Sequence, residues 1–412
     1  MTDTPETAGS GDAILPLAGL VVLDVSTFIA APAAAVVLGD FGADVIKVEA
    51  AEGGDPNRVS VGIASYPPSE TNYPWILGSR NTRSIAIDLR HAQGRAAFDR
   101  LRARADLRIV TLPPAVRARL KLAYADVKRA NARLIYASLT GYGETGADRD
   151  RPGFDATAYF ARSGLIDAAT YEGAPPAFSL PAQGDRATAM SIVSGVLLAL
   201  LHRERTGRGG EVTTSLVANG VWSNGIMVQA ALAGAYLAPR PPRTRPRSAL
   251  TNPYLCADGR WFQLTIVRED VMWAPLCAAT GRPDLEKDPR FATTSERRRN
   301  AVALTAEFDA VFATRPWAEW RAILARHGLV FGEIARLADV IEDRQLAETG
   351  VLVPSGDPGV ERTIASPFWT DFAARRPAGP APSLGQHTDE ILRWTGMSDA
   401  EIAALRQAGA VR

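Results

Sequence analysis

The sequence predicts an α/β fold whose large domain is a doubly wound parallel sheet. Three observations lead to this prediction: apolar runs without polar alternation, helical segments between those runs, and an opening stretch (17–58) that fits a strand–helix–strand unit. Apolar runs of this kind are typical of parallel strands that are buried on both faces. A chain of 412 residues can bury one large core and a smaller second one.

The opening unit sets the pattern for the rest of the chain. Residues 20–25 form an apolar strand, 30–37 a helix of small residues with Pro32 near its start, and 44–49 a second strand. A right-handed crossover makes the two strands parallel and leaves a crevice at their carboxyl ends. The unit lacks a GxGxxG motif, so the crevice is not obviously built for a dinucleotide pyrophosphate.

Strands and helices then alternate, which predicts a Rossmann-like sheet. The remaining predicted strands are 84–89, 107–112 and 134–139. The predicted helices are 94–105, a stretch from Pro114, 155–162 and 187–205, the last ended by Gly207. Residues 59–79 are rich in Pro, Ser and Tyr and indicate a long loop.

A change in composition divides the chain. Residues 239–247 are basic and dense in proline, which excludes a helix or sheet interior, and a turn at Asp258-Gly259 indicates the hairpin of a smaller α+β domain. The predicted divisions are a disordered tail (1–15), the large domain (16–225), a linker (226–250), the small domain (251–335) and a C-terminal segment (336–412).

Charge and cysteine content narrow the classes of function. A net charge of +1 gives no electrostatic basis for binding nucleic acid or an anionic membrane, and no apolar run approaches the roughly 20 residues of a membrane span. Two cysteines, and a start without the basic and apolar regions of a signal peptide, predict a cytoplasmic protein. The four histidines lie apart with no metal-binding spacing, so we expect no metal.

Several stretches together resemble one known family. They are VLDVSTFIAAP, GDFGADVIKVE, GGDPNR, RNTRSIAIDL, NARLIYASLTGYGETG, RPGFDATAY, ALLHRERTGRGGEV and LGQHTDEIL. In this order and spacing they resemble the class III CoA-transferases, the family of formyl-CoA transferase and carnitine CoA-transferase (CaiB/BaiF), over nearly the whole chain. The resemblance implies a CoA-binding large domain, a C-terminal segment that returns to it, an interlocked homodimer, and coenzyme A as the only cofactor.

Asp185 follows Gly184 at the start of the longest predicted helix. An Asp at such a junction is ordinarily a helix N-cap. It can also be a nucleophile, and Gly184 leaves room for a thioester beside the backbone. The resemblance places Asp185 on the family's nucleophilic aspartate. It implies attack on an acyl-CoA thioester, an acyl–aspartyl anhydride, an aspartyl–CoA thioester, and return of CoA to an acceptor carboxylate.

Asp155 is the second candidate catalytic residue. It is either another helix cap or, as the resemblance implies, a carboxylate that orients or tunes Asp185, since paired carboxylates perturb each other. Its neighbour Phe154 stands where related racemases carry a His that transfers a proton. Because Phe cannot transfer a proton, Phe154 argues against racemisation.

The resemblance also implies nine contacts to CoA. They are Ile29, Ala30, Ile87, Asp88, Arg90, Thr111, Leu112, Arg119 and Thr140. Arg90 and Arg119 suit phosphates, although each is also compatible with a solvated helix face. The segment VTLPPA (110–115) departs from the family's usual ENFRPG, and Ile29 replaces a polar Gln of some transferases, which predicts an altered adenine pocket and an acceptor other than oxalate.

We interpret the chain as a CoA-transferase that acts on acyl-CoA and free carboxylic acids. The alternatives are a 2-methylacyl-CoA racemase or an acyl-CoA lyase on the same fold, or a CoA-binding protein without turnover. Tyr254, Trp261 and Trp273 of the small domain are candidates to border the acyl pocket.

Overall fold

The computed structural model describes residues 15–129, 131–177 and 179–412, so the predicted tail lies outside the described residues except for Leu15. The fold is mixed α/β, and the chain divides into two compact units. The first contains 15–167, 179–235 and 346–412, and the second contains 168–177 and 236–345. The second unit is thus longer at both ends than the predicted small domain, and it includes a short segment from within the predicted large domain.

A six-stranded parallel sheet is the centre of the first unit. Its strands are β1 (Val21–Val25), β2 (Asp44–Glu49), β3 (Thr82–Ala86), β4 (Leu107–Val110), β5 (Ile135–Thr140) and β6 (Gly210–Ser215). Their order across the sheet is β3-β2-β1-β4-β5-β6, and every neighbouring pair is parallel. This is a doubly wound order whose reversal falls between β1 and β4. Sequence patterns predicted the first five strands and missed β6.

Helices cover both faces of this sheet. Those before residue 236 are α1 (Ala30–Asp40), α2 (Tyr73–Ser79), α3 (Ala92–Arg102), α4 (Pro114–Arg119), α5 (Tyr124–Val127), α6 (Leu165–Ala169), α7 (Gln183–Thr206), α8 (Leu216–Ser223) and α9 (Gly225–Leu232), with a 3-10 helix (Pro56–Gly62) and a π-helix (Asp155–Ala161). Alternate residues of a strand enter different cores: Val22 packs with α1 and α7, whereas Leu23 packs with α3. The 3-10 helix and α2 replace much of the predicted loop over 59–79.

The helix α7 differs from the expectation that no segment is long and apolar enough to span a membrane. Within the described residues it is the one helix that is long and apolar enough to cross a bilayer, with 24 residues and a mean hydropathy of 1.4 over its most apolar window. Because α7 packs along α1 and beside β6, and core helices of soluble proteins have the same composition, this match is weak support for a membrane span.

The second unit is built on a three-stranded antiparallel sheet. Its strands are β7 (Thr251–Leu255), β8 (Trp261–Thr265) and β9 (Phe331–Glu333), and its helices are α10 (Glu269–Thr280), α11 (Pro283–Lys287), α12 (Thr294–Arg299), α13 (Ala301–Phe312), α14 (Trp317–Arg326) and α15 (Leu337–Ile341). Tyr254 and Trp273 are buried in the core of this unit. Their predicted place at an acyl pocket was therefore wrong, because the core needs these rings.

The C-terminal part adds two short strands and three helices. They are α16 (Arg344–Glu348), the antiparallel pair β10 (Leu352–Pro354) and β11 (Arg362–Ile364), α17 (Thr388–Trp394) and α18 (Asp399–Gln407). Residues of α17 and α18 complete the core on the α3 face of the large sheet. Val411 forms a bridge with Ile87, so the chain returns to the edge beyond β3.

Candidate active site

The loops that follow β1 and β4 meet at the point where the strand order reverses. The Thr27 N–H donates a hydrogen bond to Thr111 Oγ1 at 3.0 Å, which joins the two loops. Phe28 has a φ of +64°, an unusual value for a residue with a side chain, and its N–H donates to Asp55 Oδ1 at 3.1 Å. Backbone strain of this kind is commonly found at functional sites.

A buried ion network fixes the loop after β1. Lys47 Nζ lies 3.2 Å from Asp24 Oδ2 and 2.7 Å from Asp55 Oδ2, and it donates to the Ser26 carbonyl at 2.7 Å. The contact with Asp55 Oδ2 is an ion pair whose angles fall outside those of a hydrogen bond. These residues lie within the family motifs, but the sequence assigned them no role, because a Lys in an apolar strand does not indicate which carboxylates it will contact.

Asp185 is the third residue of α7 and does not cap it. The N-cap position belongs to Ala182, which has a φ of +62° and makes no side-chain cap. The alternative reading of Asp185 as an N-cap was therefore wrong. Gly184 is required here, because a Cβ on it would lie 2.6 Å from Cγ of the buried Tyr159 ring. Among the described residues, the Asp185 carboxylate has no hydrogen-bond or ion-pair partner.

Asp155 begins the π-helix, which packs against α7 near the start of that helix. Its Oδ1 accepts a hydrogen bond from the Ala156 N–H at 2.7 Å, and Phe154, not Asp155, is the N-cap of the π-helix. At longer range the N–H groups of the Ala182–Asp185 turn face the carboxylate and lower its pKa, but burial outweighs them, and the pKa is raised. Asp155 Oδ2 has no partner within hydrogen-bond geometry among the residues described.

The surroundings of Asp185 favour its protonated form. Burial, followed by the nearby charge of Asp155, raises the pKa of Asp185 to about 7, and Arg186 opposes part of this effect. A carboxylate with a raised pKa is more basic when it is ionised, and it still ionises near neutral pH. Asp185 is therefore suited to act as a nucleophile.

Two cavities lie along the carboxyl ends of the strands. The Asp185 cavity, of about 220 Å³, is lined by Asp185, Phe28, Thr140, Phe154 and neighbouring residues. The Arg90 cavity, of about 750 Å³, is lined by Glu49, Ile87, Arg90, Val411 and neighbouring residues. Thr27 lines both, so the two cavities adjoin at the loop after β1.

Eight of the nine predicted CoA contacts line one or the other of these cavities. Ile29, Ala30, Thr111 and Thr140 line the Asp185 cavity. Ile87, Asp88, Arg90 and Leu112 line the Arg90 cavity. Arg119 lines neither and is exposed at the end of α4, so its contact with CoA stays a prediction without support from its position.

Besides Phe154, the Asp185 cavity contains three side chains that the motifs did not single out, those of Phe28, Arg149 and Arg151. Phe28 and Phe154 meet edge to face with ring centroids 5.4 Å apart, and both line the cavity. Arg149 and Arg151, from the loop after β5, also line it. The glycine-rich loop that follows β5 is the sequence feature that could have indicated a site containing these two arginines.

The part of the chain that is described contains no cluster of three or more His, Cys, Asp or Glu side chains able to hold a metal ion. The two cysteines, Cys256 and Cys277, are buried and unpaired, and burial raises the pKa of both thiols.

Comparisons with known proteins agree with this geometry. The sequence model of CoA-transferase family III matches residues 17–388. The chain is 31% identical to (R)-2-hydroxy-4-methylpentanoate CoA-transferase of Clostridioides difficile, over 96% of this chain and 99% of the relative. It is 32% identical to the beta subunit of succinyl-CoA–L-malate CoA-transferase of Chloroflexus aurantiacus, over 95% of this chain and 97% of the relative.

A solved structure shares the fold as well. The crystal structure of a CaiB/BaiF family protein from Brucella suis superposes with a TM-score of 0.81 and 29% identity, over 92% of this chain and 99% of that one. The match to the family extends over nearly the whole chain, as the motifs indicated. The chain therefore belongs to CoA-transferase family III and is an enzyme of that family.

Proposed function

We propose that this enzyme moves CoA from an acyl-CoA thioester to a free carboxylic acid through a covalent intermediate on Asp185. One observation is the main support: the Asp185 carboxylate has no hydrogen-bond or ion-pair partner in the described part of the chain, and it lines a cavity together with four predicted CoA contacts. A structural carboxylate in a comparable place would accept hydrogen bonds or pair with a cation.

The reaction proceeds by two exchanges that mirror each other. The Asp185 carboxylate attacks the thioester carbonyl, the C–S bond breaks, and an acyl–aspartyl anhydride and CoA thiolate form. The thiolate attacks the aspartyl carbonyl, which releases the donor acid and leaves an aspartyl–CoA thioester. The acceptor carboxylate attacks this thioester, and the returning thiolate then attacks the acyl carbonyl of the new anhydride to give the product. No proton is gained or lost in the balanced reaction.

The surrounding residues support these steps. Burial, and after it the charge of Asp155, keep the pKa of Asp185 high, so that its carboxylate is basic when it is ionised. Phe28 and Phe154 make the cavity apolar, which protects the anhydride from water. Phe154 also offers no group that could remove an α-proton, so racemisation remains the weaker alternative.

The two cavities suggest how CoA lies on the enzyme. The larger Arg90 cavity has the size for the phosphorylated nucleotide, and the exposed Arg90 would bind a phosphate in exchange for its ion pair with Asp88. The pantetheine arm would then pass Thr27 into the Asp185 cavity. The names of the relatives put a 2-hydroxy acid, succinate and malate among their substrates, so we propose carboxylic acids as both donor and acceptor here. The proposed chemistry requires no metal.

A trapping experiment tests the nucleophile. The Asp185→Ala variant should lose CoA transfer by at least about 10³-fold while it still binds CoA, because no other group takes the covalent role. Hydroxylamine or borohydride added to the wild-type enzyme with an acyl-CoA should modify Asp185, as read by peptide mass spectrometry. Asp399→Ala, which removes an exposed carboxylate from the first turn of α18, is the control. Modification at another carboxylate would refute the assignment.

We further propose that the enzyme is an interlocked homodimer in the cytoplasm. Large apolar side chains on α7, α8 and α9 are exposed, among them Leu198 at 68%, Trp222 at 84% and Ile226 at 87%. Exposed apolar surface of this extent is typical of a subunit interface. Light scattering should give a dimer for the wild type, and Trp222→Glu with Ile226→Glu should weaken it; a wild-type monomer would contradict the proposal.

A further inference from the structure

Two arginines share the Asp185 cavity with the candidate nucleophile. Arg149 and Arg151 come from the loop after β5, and both line this cavity of about 220 Å³. Among the described residues of the lining, the charged side chains are these two arginines and Asp185. The aromatic rings of Phe28 and Phe154 meet in the same lining. The covalent role proposed for Asp185 uses neither arginine, so both cations are available to another reactant.

The fold of the loop after β5 positions Arg151. Gly141 and Gly153 bring the two ends of this loop together, because a Cβ on Gly141 would lie 3.0 Å from the Gly153 Cα, and one on Gly153 would lie 2.9 Å from Cε2 of Tyr142. The Arg151 guanidinium lies over the Tyr142 ring, 5.4 Å from the ring centroid. Stacking of this kind uses the face of a guanidinium and leaves its N–H groups free to donate.

The ion pairs of both arginines are exposed and weak. Arg149 Nε lies 3.0 Å from Asp150 Oδ2, with the two side chains 58% and 45% exposed. Arg151 Nη1 lies 3.9 Å from Asp148 Oδ1, a carboxylate that also meets Arg162 at 3.3 Å. Exposed ion pairs contribute little free energy, so an anion from a ligand can replace Asp148 or Asp150 at small cost.

The free acid is the reactant that needs a cation in this cavity. The acyl group is neutral in the thioester and in the anhydride, whereas the acceptor enters and the donor acid leaves as a carboxylate. A carboxylate that enters between apolar rings loses water, and it also meets the nearby charge of Asp155. A guanidinium compensates for both effects, because it donates charged hydrogen bonds to carboxylate oxygens.

We propose that Arg149 and Arg151 bind the carboxylate of the free acid as it enters or leaves the Asp185 cavity. This inference rests on the transferase function proposed above. It adds to that function the residues that recognise a free acid and do not recognise its thioester. The group that they bind is the reacting carboxylate, so a second carboxylate in the acid is not required.

The experiment times the two half-reactions separately. In the first, each enzyme is mixed with an acyl-CoA and hydroxylamine, and formation of the trapped Asp185 adduct is followed by peptide mass spectrometry. In the second, enzyme that carries CoA on Asp185 is desalted and mixed with increasing concentrations of a free acid, and acyl-CoA is measured after rapid quenching. The probes are acetyl-CoA, butyryl-CoA, succinyl-CoA and benzoyl-CoA, each with its own acid, and the pair that reacts fastest with the wild type is used.

The variants separate charge at the cavity from charge elsewhere on the surface. Arg149→Gln with Arg151→Gln removes both cations, and Arg149→Lys with Arg151→Lys keeps them. Asp150→Asn removes the carboxylate that competes for Arg149. Arg162→Gln is the matched control, because Arg162 is an exposed partner of Asp148 and is not among the described residues that line the cavity.

The double Gln variant should lower the second-order rate constant for the free acid by about 10- to 100-fold and slow adduct formation by less than about 3-fold, since only the free acid carries the charge that the arginines bind. The double Lys variant should keep part of the rate with the acid. Asp150→Asn should raise that rate by about 2- to 5-fold, and Arg162→Gln should change neither half-reaction by more than about 2-fold.

Equal slowing of both half-reactions by the double Gln variant would overturn the inference and leave the transferase intact. That result is expected if the arginines bind a phosphate of CoA or only maintain the shape of the loop. An unchanged rate with the acid would overturn the inference as well. A wild-type enzyme that forms no adduct with any of the four thioesters would contradict the proposed function itself.

Discussion

Two groups of buried charges lie near the carboxyl ends of the same sheet, and they differ in how the charges are paired. Around Lys47, the ammonium meets Asp24 and Asp55 within 3.2 Å. Near Asp185 lies a second carboxylate, that of Asp155, and the adjacent cation, Arg186, has no ion pair among the described residues. In the first group both carboxylates contact a cation of the protein, whereas in the second no described cation lies at ion-pair distance from Asp185.

The difference separates a structural role from a reactive one. A buried ion pair whose charges are matched tolerates little change, because loss of one partner leaves the other unpaired. A carboxylate placed near a second acid, without donors of its own, lowers stability but gains basicity. The Lys47 group fixes the loop that carries Phe28, whereas the Asp185 carboxylate is left available for substrate.

Breaking the paired group should have the largest effect. Lys47→Met leaves Asp24 and Asp55 buried without their cation, and we expect the free energy of unfolding to fall by about 3 to 5 kcal/mol. Denaturant unfolding at pH 7 measures this, and Lys128→Met, at an exposed position in the same unit, is the control. A loss below about 1 kcal/mol, the size expected of a surface pair, would show that the two groups do not differ as described.

Displacing the nucleophile tests whether its geometry matters as much as its charge. A Cβ at position 184 would lie 2.6 to 2.9 Å from Cγ, Cδ1 and Cβ of Tyr159, so Gly184→Ala must shift the start of α7. We expect the transfer rate to fall about 10- to 100-fold with CoA binding retained. Gly210→Ala is the control, because a Cβ there would meet no atom within 4 Å. Equal rates in the two variants would contradict a strict positional requirement.

Much of the fold was predictable because its signals are local. The buried strands β1 to β5 and the long helix are visible as apolar runs, and they are present as predicted. The strand β6 was missed because its sequence, GEVTTS, is mostly polar and contains no apolar run. It also begins at Gly210, close to the glycine that ends the preceding helix.

The site was predictable only in part. The motifs singled out Asp185, which lines a cavity, and eight of the nine predicted CoA contacts line one as well; their roles stay predictions. The motifs did not indicate the contacts of Lys47 with Asp24 and Asp55, because sequence spacing does not show which charges lie near one another in the folded chain.

Removing the charge of Asp185 should stabilise the protein, and the gain should depend on pH. Asp185 has a folded pKa of about 7 against an ordinary value near 4, so the folded state loses stability as the pH rises from 4 through 7. Asp185→Asn has no charge to bury, and its advantage in unfolding free energy should grow by about 2 kcal/mol between pH 5 and pH 8. Thermal unfolding of both proteins at the two pH values measures this; an advantage independent of pH would contradict the raised pKa.

The smallest and most specific effect should come from Asp155. Among the described residues, the charged and titratable groups near Asp185 are Asp155 on the π-helix, Arg186 on its own helix, Tyr66 on the loop before α2, and Arg149 and Arg151, which line the same cavity. Because Asp155 raises the pKa of Asp185, Asp155→Asn should move the ascending limb of the pH–rate profile for adduct formation to lower pH, by about one unit or less. A merely structural role would lower the rate equally at every pH. An unmoved limb would therefore show that burial alone sets the basicity of Asp185, and that the like charge of Asp155 does not distinguish this group from the paired one at Lys47.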